Sequence, residues 1–368
     1  MSDTHFEEWI SRFREQDAYQ RVPVRAMFEL TYGCNLRCVH CYNPTHQALN
    51  ELKKQEIFQI LDGLAAEGCL WIGFTGGELF TRKDAIEVLR YAREKGMIFN
   101  ILTNATMITP ALADEIQALD PYLMNISVYG ATAETYERVT QIPGSFRKFV
   151  RGVDLLIERK VPIVLKLVLM TPNVHEFHAM QSFALERKVR YQLALDIVPK
   201  VDGSQAPLRY RLSPGQVFEI WRETAGVRIQ RHVVSREGLV CEREAYDSSS
   251  SLFKCGCGRS SVAVTPHGKM NLCLSIYKPQ YNLTTGSVAK GWKQMVDLVA
   301  AAEPGPHYEC SGCSLARNCL RGPNHSWLEK GVFDGSCIDY HRQLAELKAE
   351  FLDGSKKGMK PVEALQTR

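Results

Sequence analysis

Long hydrophobic runs and a strong net charge are both missing from this sequence. No stretch approaches the roughly 18 uninterrupted apolar residues of a membrane-spanning helix. Residues 1–8 contain no basic segment followed by an apolar core, so we expect no secretory signal peptide. The formal net charge is only +4 over 368 residues, which gives no reason to expect nucleic acid or an anionic membrane as a partner.

Cysteine, in contrast, is abundant, with 12 residues in the chain. A cysteine-rich protein without a secretion signal is expected to stay in the reducing cytoplasm. There, thiols more often bind metals or take part in redox chemistry than form disulfides. Eight of the 12 lie between residues 241 and 337, which predicts a metal-binding region in the C-terminal third of the chain.

Short apolar segments alternate with amphipathic segments from about residue 23 to residue 200. The predicted strands are 27–31, 70–75, 98–103, 123–128, 163–170 and 192–198, and the predicted helices are 54–67, 83–95, 110–119, 146–160 and 174–187. The strands show little polar alternation, as expected when both of their faces are covered. Repeated strand–helix units predict an α/β fold with a parallel sheet and right-handed crossovers. The pattern leaves open whether that sheet is flat or curled.

The rest of the chain divides into four further segments. Residues 1–22 are predicted to form a short helical extension, and residues 201–254 a bridging helix with a serine-rich linker. Residues 255–340 form the predicted cysteine-rich domain, and residues 341–368 a C-terminal helix and tail. A chain of 368 residues is long enough for a main domain and a smaller one.

Cys34, Cys38 and Cys41 form a CxxxCxxC motif directly after the first predicted strand. Three thiolates at this spacing can bind one face of a [4Fe–4S] cluster and leave one iron open, because full ligation would use four cysteines. A zinc loop or unrelated buried thiols are the alternatives, although structural zinc sites usually have four protein ligands. The sequence Gly76-Gly77-Glu78 follows the second predicted strand, where ligands bind in parallel α/β folds.

Together, the two motifs resemble those of the radical S-adenosylmethionine superfamily. The resemblance implies a partial (β/α)6 barrel, in which the open iron binds S-adenosylmethionine. Reductive cleavage of this cofactor gives methionine and a 5′-deoxyadenosyl radical that abstracts hydrogen from a substrate. The resemblance also implies a set of residues that contact the cofactor, namely His40, Gly76, Gly77, Glu78, Thr103, Asn104, Ser127 and Arg138.

The implied roles of these residues differ. The Gly–Gly–Glu motif is expected to bind the methionyl ammonium, His40 to lie near the adenine, and Arg138 to pair with the cofactor's carboxylate, a partner that suits the planar guanidinium. The alternatives are that Asn104 only caps a turn and that Arg138 lies on an exposed helix face.

Lys166 and Asp196 interrupt the otherwise apolar fifth and sixth predicted strands. Charges inside such strands are costly unless they are paired or functional. We expect these two residues either to pair with each other or to face the mouth of the active site, where they are candidates for catalytic residues.

The C-terminal cysteines resemble those of the SPASM domain, which binds auxiliary iron–sulfur clusters in radical enzymes. The resemblance implies two auxiliary clusters, one bound by Cys255, Cys257 and Cys273 and the other by Cys310, Cys313, Cys319 and Cys337. One family cysteine is replaced here by Pro323, which leaves the fourth ligand of the first auxiliary cluster open. Cys241, His325 and a bound substrate are the alternatives for it. Structural zinc is the alternative for the whole domain.

The combined resemblance implies a radical S-adenosylmethionine enzyme that modifies a peptide, in particular a ribosomally synthesised precursor. Its expected partners are the peptide, a separate leader-binding protein that presents it, and an electron donor such as flavodoxin or ferredoxin. Two alternatives remain open. The first is a dehydrogenase or rearrangement enzyme acting on a small molecule, and the second is a non-catalytic iron–sulfur electron carrier or zinc scaffold.

Overall fold

The computed structural model describes residues 22–225, 252–253, 255–305, 308–310, 312–316, 318–319, 322–333 and 337–356. Residues 1–21 of the predicted N-terminal extension, most of the serine-rich linker and Cys241 lie outside these ranges. No helix within them is long and apolar enough to cross a membrane.

The predicted alternation of strands and helices is confirmed. The strands are β1 (Arg25–Thr31), β2 (Trp71–Gly76), β3 (Ile98–Thr103), β4 (Leu123–Val128), β5 (Ile163–Val168) and β6 (Tyr191–Ala194). The helices between them are α1 (Lys54–Ala66), α2 (Ala85–Glu94), α3 (Pro110–Leu119), α4 (Ala133–Thr140), α5 (Ser145–Glu158) and α6 (Phe177–Glu186). These strands pair in parallel with their neighbours in chain order, so the helices serve as crossover connections.

Local capping signals fix where α3 and α4 begin. Thr109 caps α3, because its side chain accepts a hydrogen bond from the backbone N–H of Leu112 at 3.2 Å, and Pro110 is the first helical residue. Thr132 caps α4 in the same way. Helix α4 is not predicted by the sequence pattern, because a helix of eight residues gives only about two turns of periodicity.

Strand β6 ends earlier than predicted, at Ala194. Asp196 therefore lies two residues beyond the strand instead of inside it. The physical reason is that β6 is at one end of the sheet, and its ladder to β5 stops at the pair Val168–Ala194. With no second neighbour to pair with, the chain leaves the sheet at that point.

The two faces of the sheet differ in character. One face packs on the helices in a single core cluster, which includes Phe28, Phe74, Ile101, Ile126 and Leu165 from five successive strands. The opposite, inner face carries polar residues that the register places on the same side, namely Glu29, Asn100, Asn125, Ser127 and Lys166. Neither polar atom of the Asn125 side chain has a hydrogen-bond partner among the described residues, although Asn125 is only 1% exposed. The inner face is therefore suited to a polar ligand or to ordered water.

The cysteine-rich region joins the same sheet. Strand β7 (Ser261–Val264) pairs in parallel with β1, and β8 (Lys269–Asn271) and β9 (Tyr281–Asn282) follow it in antiparallel order. The sheet order is thus β6-β5-β4-β3-β2-β1-β7-β8-β9. The later helices are α7 (Pro214–Ala225), α8 (Val288–Ala301), α9 (Pro323–Lys330) and α10 (Asp339–Lys356). Helix α10 packs on α7, and α8 packs on α1.

Candidate active site

The CxxxCxxC motif forms a loop just beyond the carboxyl end of β1. All three cysteines, Cys34, Cys38 and Cys41, are half-buried. The backbone N–H groups of Arg37 and Val39 donate to the carbonyl oxygens of Thr140 and Val139, each at 3.0 Å. These bonds lie on either side of Cys38 and fix the middle of the loop to the C-terminal end of α4.

Gly76 and Gly77 bring the loop after β2 against the cysteine loop. The N–H of Gly77 donates to the carbonyl of Thr31 at 2.7 Å, and the N–H of Glu78 donates to that of Gly33 at 2.8 Å. A Cβ atom at Gly76 would lie 2.2 Å from the Thr31 oxygen, and one at Gly77 would lie 2.3 Å from the Gly33 oxygen. The close approach that requires these glycines is therefore to the chain's own backbone.

The Glu78 carboxylate connects the turn after β2 to the end of β3. It accepts hydrogen bonds from the Thr103 hydroxyl at 2.8 Å, the Asn104 N–H at 2.7 Å and the Phe80 N–H at 3.3 Å. Burial raises its pKa, and these three donors work against that rise. Glu78 thus holds the ends of β2 and β3 together, while its predicted role at the methionyl ammonium stays a prediction.

Asn104 supports the cysteine loop from the end of β3. Its side-chain oxygen accepts from the N–H of Thr106 at 2.9 Å, which is the turn-capping arrangement. Its side-chain nitrogen donates to Asn35 at 3.0 Å, and Asn35 donates in turn to the Thr106 hydroxyl at 2.7 Å. Because Asn35 lies directly after Cys34, this network also positions the first cysteine. The predicted contact of Asn104 with the cofactor stays a prediction.

Aromatic residues line the side of the site next to Cys38. The rings of His40 and Tyr129 lie 5.1 Å apart, and those of Tyr129 and Tyr136 lie 5.7 Å apart. The buried His40 Nδ1 atom and the buried Tyr136 hydroxyl have no hydrogen-bond partner among the described residues. Burial lowers the pKa of His40 to about 4, so its ring is neutral at pH 7. The sequence analysis did not single out Tyr129 or Tyr136, since neither belongs to a recognisable motif.

These features fit an iron–sulfur cluster with a polar ligand beside it. Burial raises the pKa of Cys34 to about 12 and also raises those of Cys38 and Cys41, so the thiolates need the positive charge of a metal. Within the described residues, no three His, Cys, Asp or Glu side chains converge on a single metal ion. In a cluster, however, each thiolate binds a different iron, and no such convergence is needed. The unpaired atoms of His40 and Tyr136 offer contacts to a polar cofactor.

Ser127 and Arg138 lie in different environments. Ser127 is half-buried on the inner face of β4, and its side chain is hydrogen-bonded to Tyr129. Arg138 is on the exposed face of α4, where it donates to Glu134 at 2.5 Å. This position agrees with the alternative of a solvated helix face. The assignment of both residues to the cofactor stays a prediction.

The two candidate catalytic charges are also in different environments. Lys166 is half-buried on the inner face of β5. The Asp196 carboxylate is 2.7 Å from His325 Nε2, and its side chain is 46% exposed. The other ring nitrogen of His325 accepts the backbone N–H of Gly322 at 3.2 Å, which places the ring proton on Nε2. Both ring nitrogens of His325 are thus hydrogen-bonded within the protein, which disfavours it as a cluster ligand. The fourth ligand of the first auxiliary cluster stays a prediction.

The cysteines of the C-terminal region fall into two groups along the chain. No disulfide forms among the described cysteines. Cys257 bridges to Ser261 at the start of β7, and Cys273 lies two residues after Asn271, the last residue of β8. Because β7 and β8 are antiparallel, the start of β7 lies beside the end of β8. This end of the hairpin therefore carries the cysteines predicted for the first auxiliary cluster, which include Cys255. The second group, Cys310, Cys313, Cys319 and Cys337, is half-buried.

Glu29 is a buried carboxylate on the inner face that the sequence analysis missed. Burial raises its pKa from 4.5 to about 7. Because the pKa is higher in the folded than in the unfolded protein, Glu29 keeps its proton between about pH 4.5 and 7 in the folded state and loses it in the unfolded state. Stability should therefore fall as the pH rises through this window, by about 3 kcal/mol in all.

The Glu29→Gln variant should lose this pH dependence, because glutamine does not titrate. The comparison is the slope of the unfolding free energy against pH, measured by urea denaturation of wild type and variant. Equal slopes between pH 4.5 and 7 would show that Glu29 titrates normally.

Comparisons with known proteins add to this geometry. Residues 28–184 match the model of the Radical SAM superfamily. The chain is 26% identical over 348 residues to the mycofactocin maturase MftC of Mycobacterium tuberculosis, an alignment that covers 88% of this chain and 85% of that protein. It is 25% identical over 272 residues to the AdoMet-dependent heme synthase of Methanosarcina barkeri, covering 70% of this chain and 78% of that protein.

The fold is similar to that of a solved enzyme–peptide complex. SuiB of Streptococcus suis, bound to its precursor peptide SuiA, superposes with a TM-score of 0.70 over 92% of this chain and 80% of that one. At 12% sequence identity, this likeness concerns the fold alone. The predicted α/β fold of radical SAM type, followed by a cysteine-rich region, is confirmed. The family implies a [4Fe–4S] cluster and S-adenosylmethionine as cofactors.

Proposed function

We propose that this chain, which carries a radical S-adenosylmethionine domain over residues 28–184, is an enzyme that modifies a ribosomally synthesised peptide. The observation that carries the proposal is the cysteine loop, with three half-buried thiols beside the unpaired polar atoms of His40 and Tyr136. The peptide part rests on the alignment with the mycofactocin maturase, which runs through most of both chains.

In this proposal Cys34, Cys38 and Cys41 hold the cluster, and His40, Gly76, Gly77, Glu78, Thr103, Asn104, Ser127 and Arg138 form the pocket for S-adenosylmethionine. When bound, the reduced cluster and the cofactor supply a 5′-deoxyadenosyl radical that abstracts hydrogen from the substrate. The chain's own contribution is to orient these groups and to exclude water. Glu78 and Asn104 do so by tying β2, β3 and the cysteine loop together.

We also propose two auxiliary clusters, one at Cys255, Cys257 and Cys273 and one at Cys310, Cys313, Cys319 and Cys337. The hairpin of β7 and β8 supports the first set, because it brings two of the three cysteines to one end. A leader-binding protein and an electron donor such as flavodoxin or ferredoxin complete the proposal. We place the enzyme in the cytoplasm, where the thiols stay reduced.

The second candidate function is a reaction on a small molecule. The alignment with the heme synthase favours it, since it covers 70% of this chain at nearly the same identity. The polar inner face of the sheet would also suit a compact polar substrate, because Asn100 Oδ1 and both polar side-chain atoms of Asn125 have no hydrogen-bond partner among the described residues. A non-catalytic electron carrier has no specific observation in its favour.

Deuterium transfer distinguishes these functions. The protein is reconstituted anaerobically and reduced with dithionite in the presence of S-adenosylmethionine. The probes are a library of uniformly deuterated peptides and a deuterated iron porphyrin. We expect deuterium in 5′-deoxyadenosine with a peptide only. Deuterium transfer from the porphyrin alone would overturn the peptide proposal. If S-adenosylmethionine is not cleaved with any probe, the proposal that the protein is an enzyme is wrong.

Arg138 provides a separate test of the cofactor pocket. The Arg138→Ala variant should bind S-adenosylmethionine about tenfold more weakly, because a charge-assisted hydrogen bond is lost. Its unfolding free energy should change by less than about 0.5 kcal/mol, since the exposed pair with Glu134 contributes little. Glu134→Ala is the matched control, and isothermal titration measures the binding. Equal affinity in all three proteins would place Arg138 outside the pocket.

A further inference from the structure

A single buried carboxylate lies between the two ends of the cysteine loop. Tyr42, directly after Cys41, donates its hydroxyl to Glu29 Oε1 at 3.0 Å. Tyr32, two residues before Cys34, donates its hydroxyl to Glu29 Oε2 at 3.4 Å. Glu29 is 4% exposed and belongs to β1, the strand that leads into the loop. The two tyrosines that flank the motif are thus joined through opposite oxygens of one side chain.

Backbone contacts support the same arrangement. The side chain of Asn43 is buried and donates to the carbonyl oxygen of Tyr32 at 2.8 Å, which joins the two ends of the loop a second time. The N–H of Val201, beyond β6, donates to the carbonyl oxygen of Tyr42 at 3.0 Å. Tyr32 is fixed from another side, because its N–H donates to Glu51 at 2.6 Å.

Packing alone does not explain a glutamate at this position. A buried carboxylate loses its hydration, and an apolar residue would fill the same space at a lower cost in free energy. What the carboxylate offers is two acceptor oxygens at a fixed separation, each matched here by a phenol. Its effect is to hold the residues before Cys34 and after Cys41 at a defined distance before any metal binds.

We propose that Glu29, together with Tyr32 and Tyr42, is a positioning group that pre-organises the three cysteines for the cluster. A loop that must bring three thiolates to one cluster loses conformational entropy on binding, and a loop already closed at both ends loses less. Residues that act through the ligands in this way typically change metal affinity by 10- to 100-fold. The proposal rests on the radical SAM domain and not on the identity of the substrate.

The test compares how fast the cluster at Cys34, Cys38 and Cys41 is lost to a chelator. The reconstituted, reduced protein is treated anaerobically with bipyridyl, and the EPR signal that responds to S-adenosylmethionine is followed, because in the proposal only the cluster at Cys34, Cys38 and Cys41 binds that cofactor. We expect loss about tenfold faster in the Tyr32→Phe/Tyr42→Phe double variant. Adding Glu29→Gln to this double variant should have no further effect, since the carboxylate has already lost both partners. Tyr122→Phe is the control, because this exposed tyrosine directly precedes β4 and so lies at the opposite end of the parallel strands from the cysteine loop.

The outcomes separate positioning from general instability. Faster loss in the tyrosine variant, with a cooperative unfolding transition near that of the wild type and a non-additive effect of Glu29→Gln, supports the proposal. Loss within about twofold of the wild type overturns it, as does an additive effect of the glutamate. If variants with Glu29→Gln do not fold, the rate of cluster loss in Tyr32→Phe/Tyr42→Phe alone tests the proposal, because this variant retains the Glu29 carboxylate. No substrate is present, so the result is independent of the peptide proposal.

Discussion

Replacing Cys34, Cys38 and Cys41 together by alanine should remove about four irons from each anaerobically reconstituted chain and abolish the cleavage of S-adenosylmethionine. In the proposal these three thiols hold the cluster of the radical S-adenosylmethionine domain, whereas Cys69 is buried in the core with its thiol directed to the Trp71 carbonyl. About eight irons should remain if both auxiliary clusters form. Iron and sulfide analysis measures the first effect, and the yield of 5′-deoxyadenosine measures the second.

Cys69→Ala is the matched control, since it removes a thiol that no cluster assignment uses. It should retain all of the iron and the cleavage activity. If only about four irons remain in the triple variant, the hairpin cysteines hold no cluster. Stoichiometric zinc in place of iron would give the C-terminal region a structural role. Cleavage at the wild-type rate in the triple variant would contradict the assignment of the site itself.

Arg211→Ala should destabilise the protein by about 3–5 kcal/mol, because it leaves Glu329 buried without its partner. The two side chains are only 7% and 14% exposed and are 2.8 Å apart. Arg211 also donates to the carbonyl of Ile197 at 2.7 Å, and its guanidinium lies over the ring of Tyr340. This residue therefore fixes helices α9 and α10 to the chain that leaves β6. Urea denaturation measures the change.

Two further variants identify the cause. Arg222→Ala removes an exposed arginine from α7 and should cost less than about 0.5 kcal/mol. The double change Arg211→Met/Glu329→Met replaces both charges by apolar groups of similar length and should recover most of the stability. If the double variant is as unstable as Arg211→Ala, the loss comes from the contacts with Ile197 and Tyr340 and not from the unpaired charge.

The sequence alone predicted most of the local structure of the site. Strands β3 and β4 begin and end where their apolar segments do, and Thr109-Pro110 marks the start of α3. These features depend on neighbouring residues, which is why they can be read locally. The cysteine spacing and the Gly–Gly–Glu motif likewise lie within short segments, so the resemblance to the radical S-adenosylmethionine superfamily could be seen before the fold was known.

Features that depend on distant segments could not be predicted in this way. The Glu29 carboxylate meets Tyr42, which is 13 residues away, and Asp196 meets His325, which is 129 residues away. The two residues of each pair come together only when the sheet has formed. Asp196 and His325 were assigned separate roles from the sequence, one as a catalytic candidate and the other as a possible cluster ligand, and the structure joins them to each other.

The sequence by itself therefore predicted the parallel α/β core, and it carried the resemblance to radical S-adenosylmethionine enzymes and the cysteines expected to bind iron, because each of these depends on a short motif or a local periodicity. The tertiary structure decided how these segments are held together. It paired β7 with β1, so that the cysteine-rich region continues the main sheet. It also turned the glycines of the Gly–Gly–Glu motif toward the backbone of the cysteine loop. The physical reason is that these contacts arise from hydrogen bonds between segments far apart in the chain, and only the folded sheet sets which of them meet.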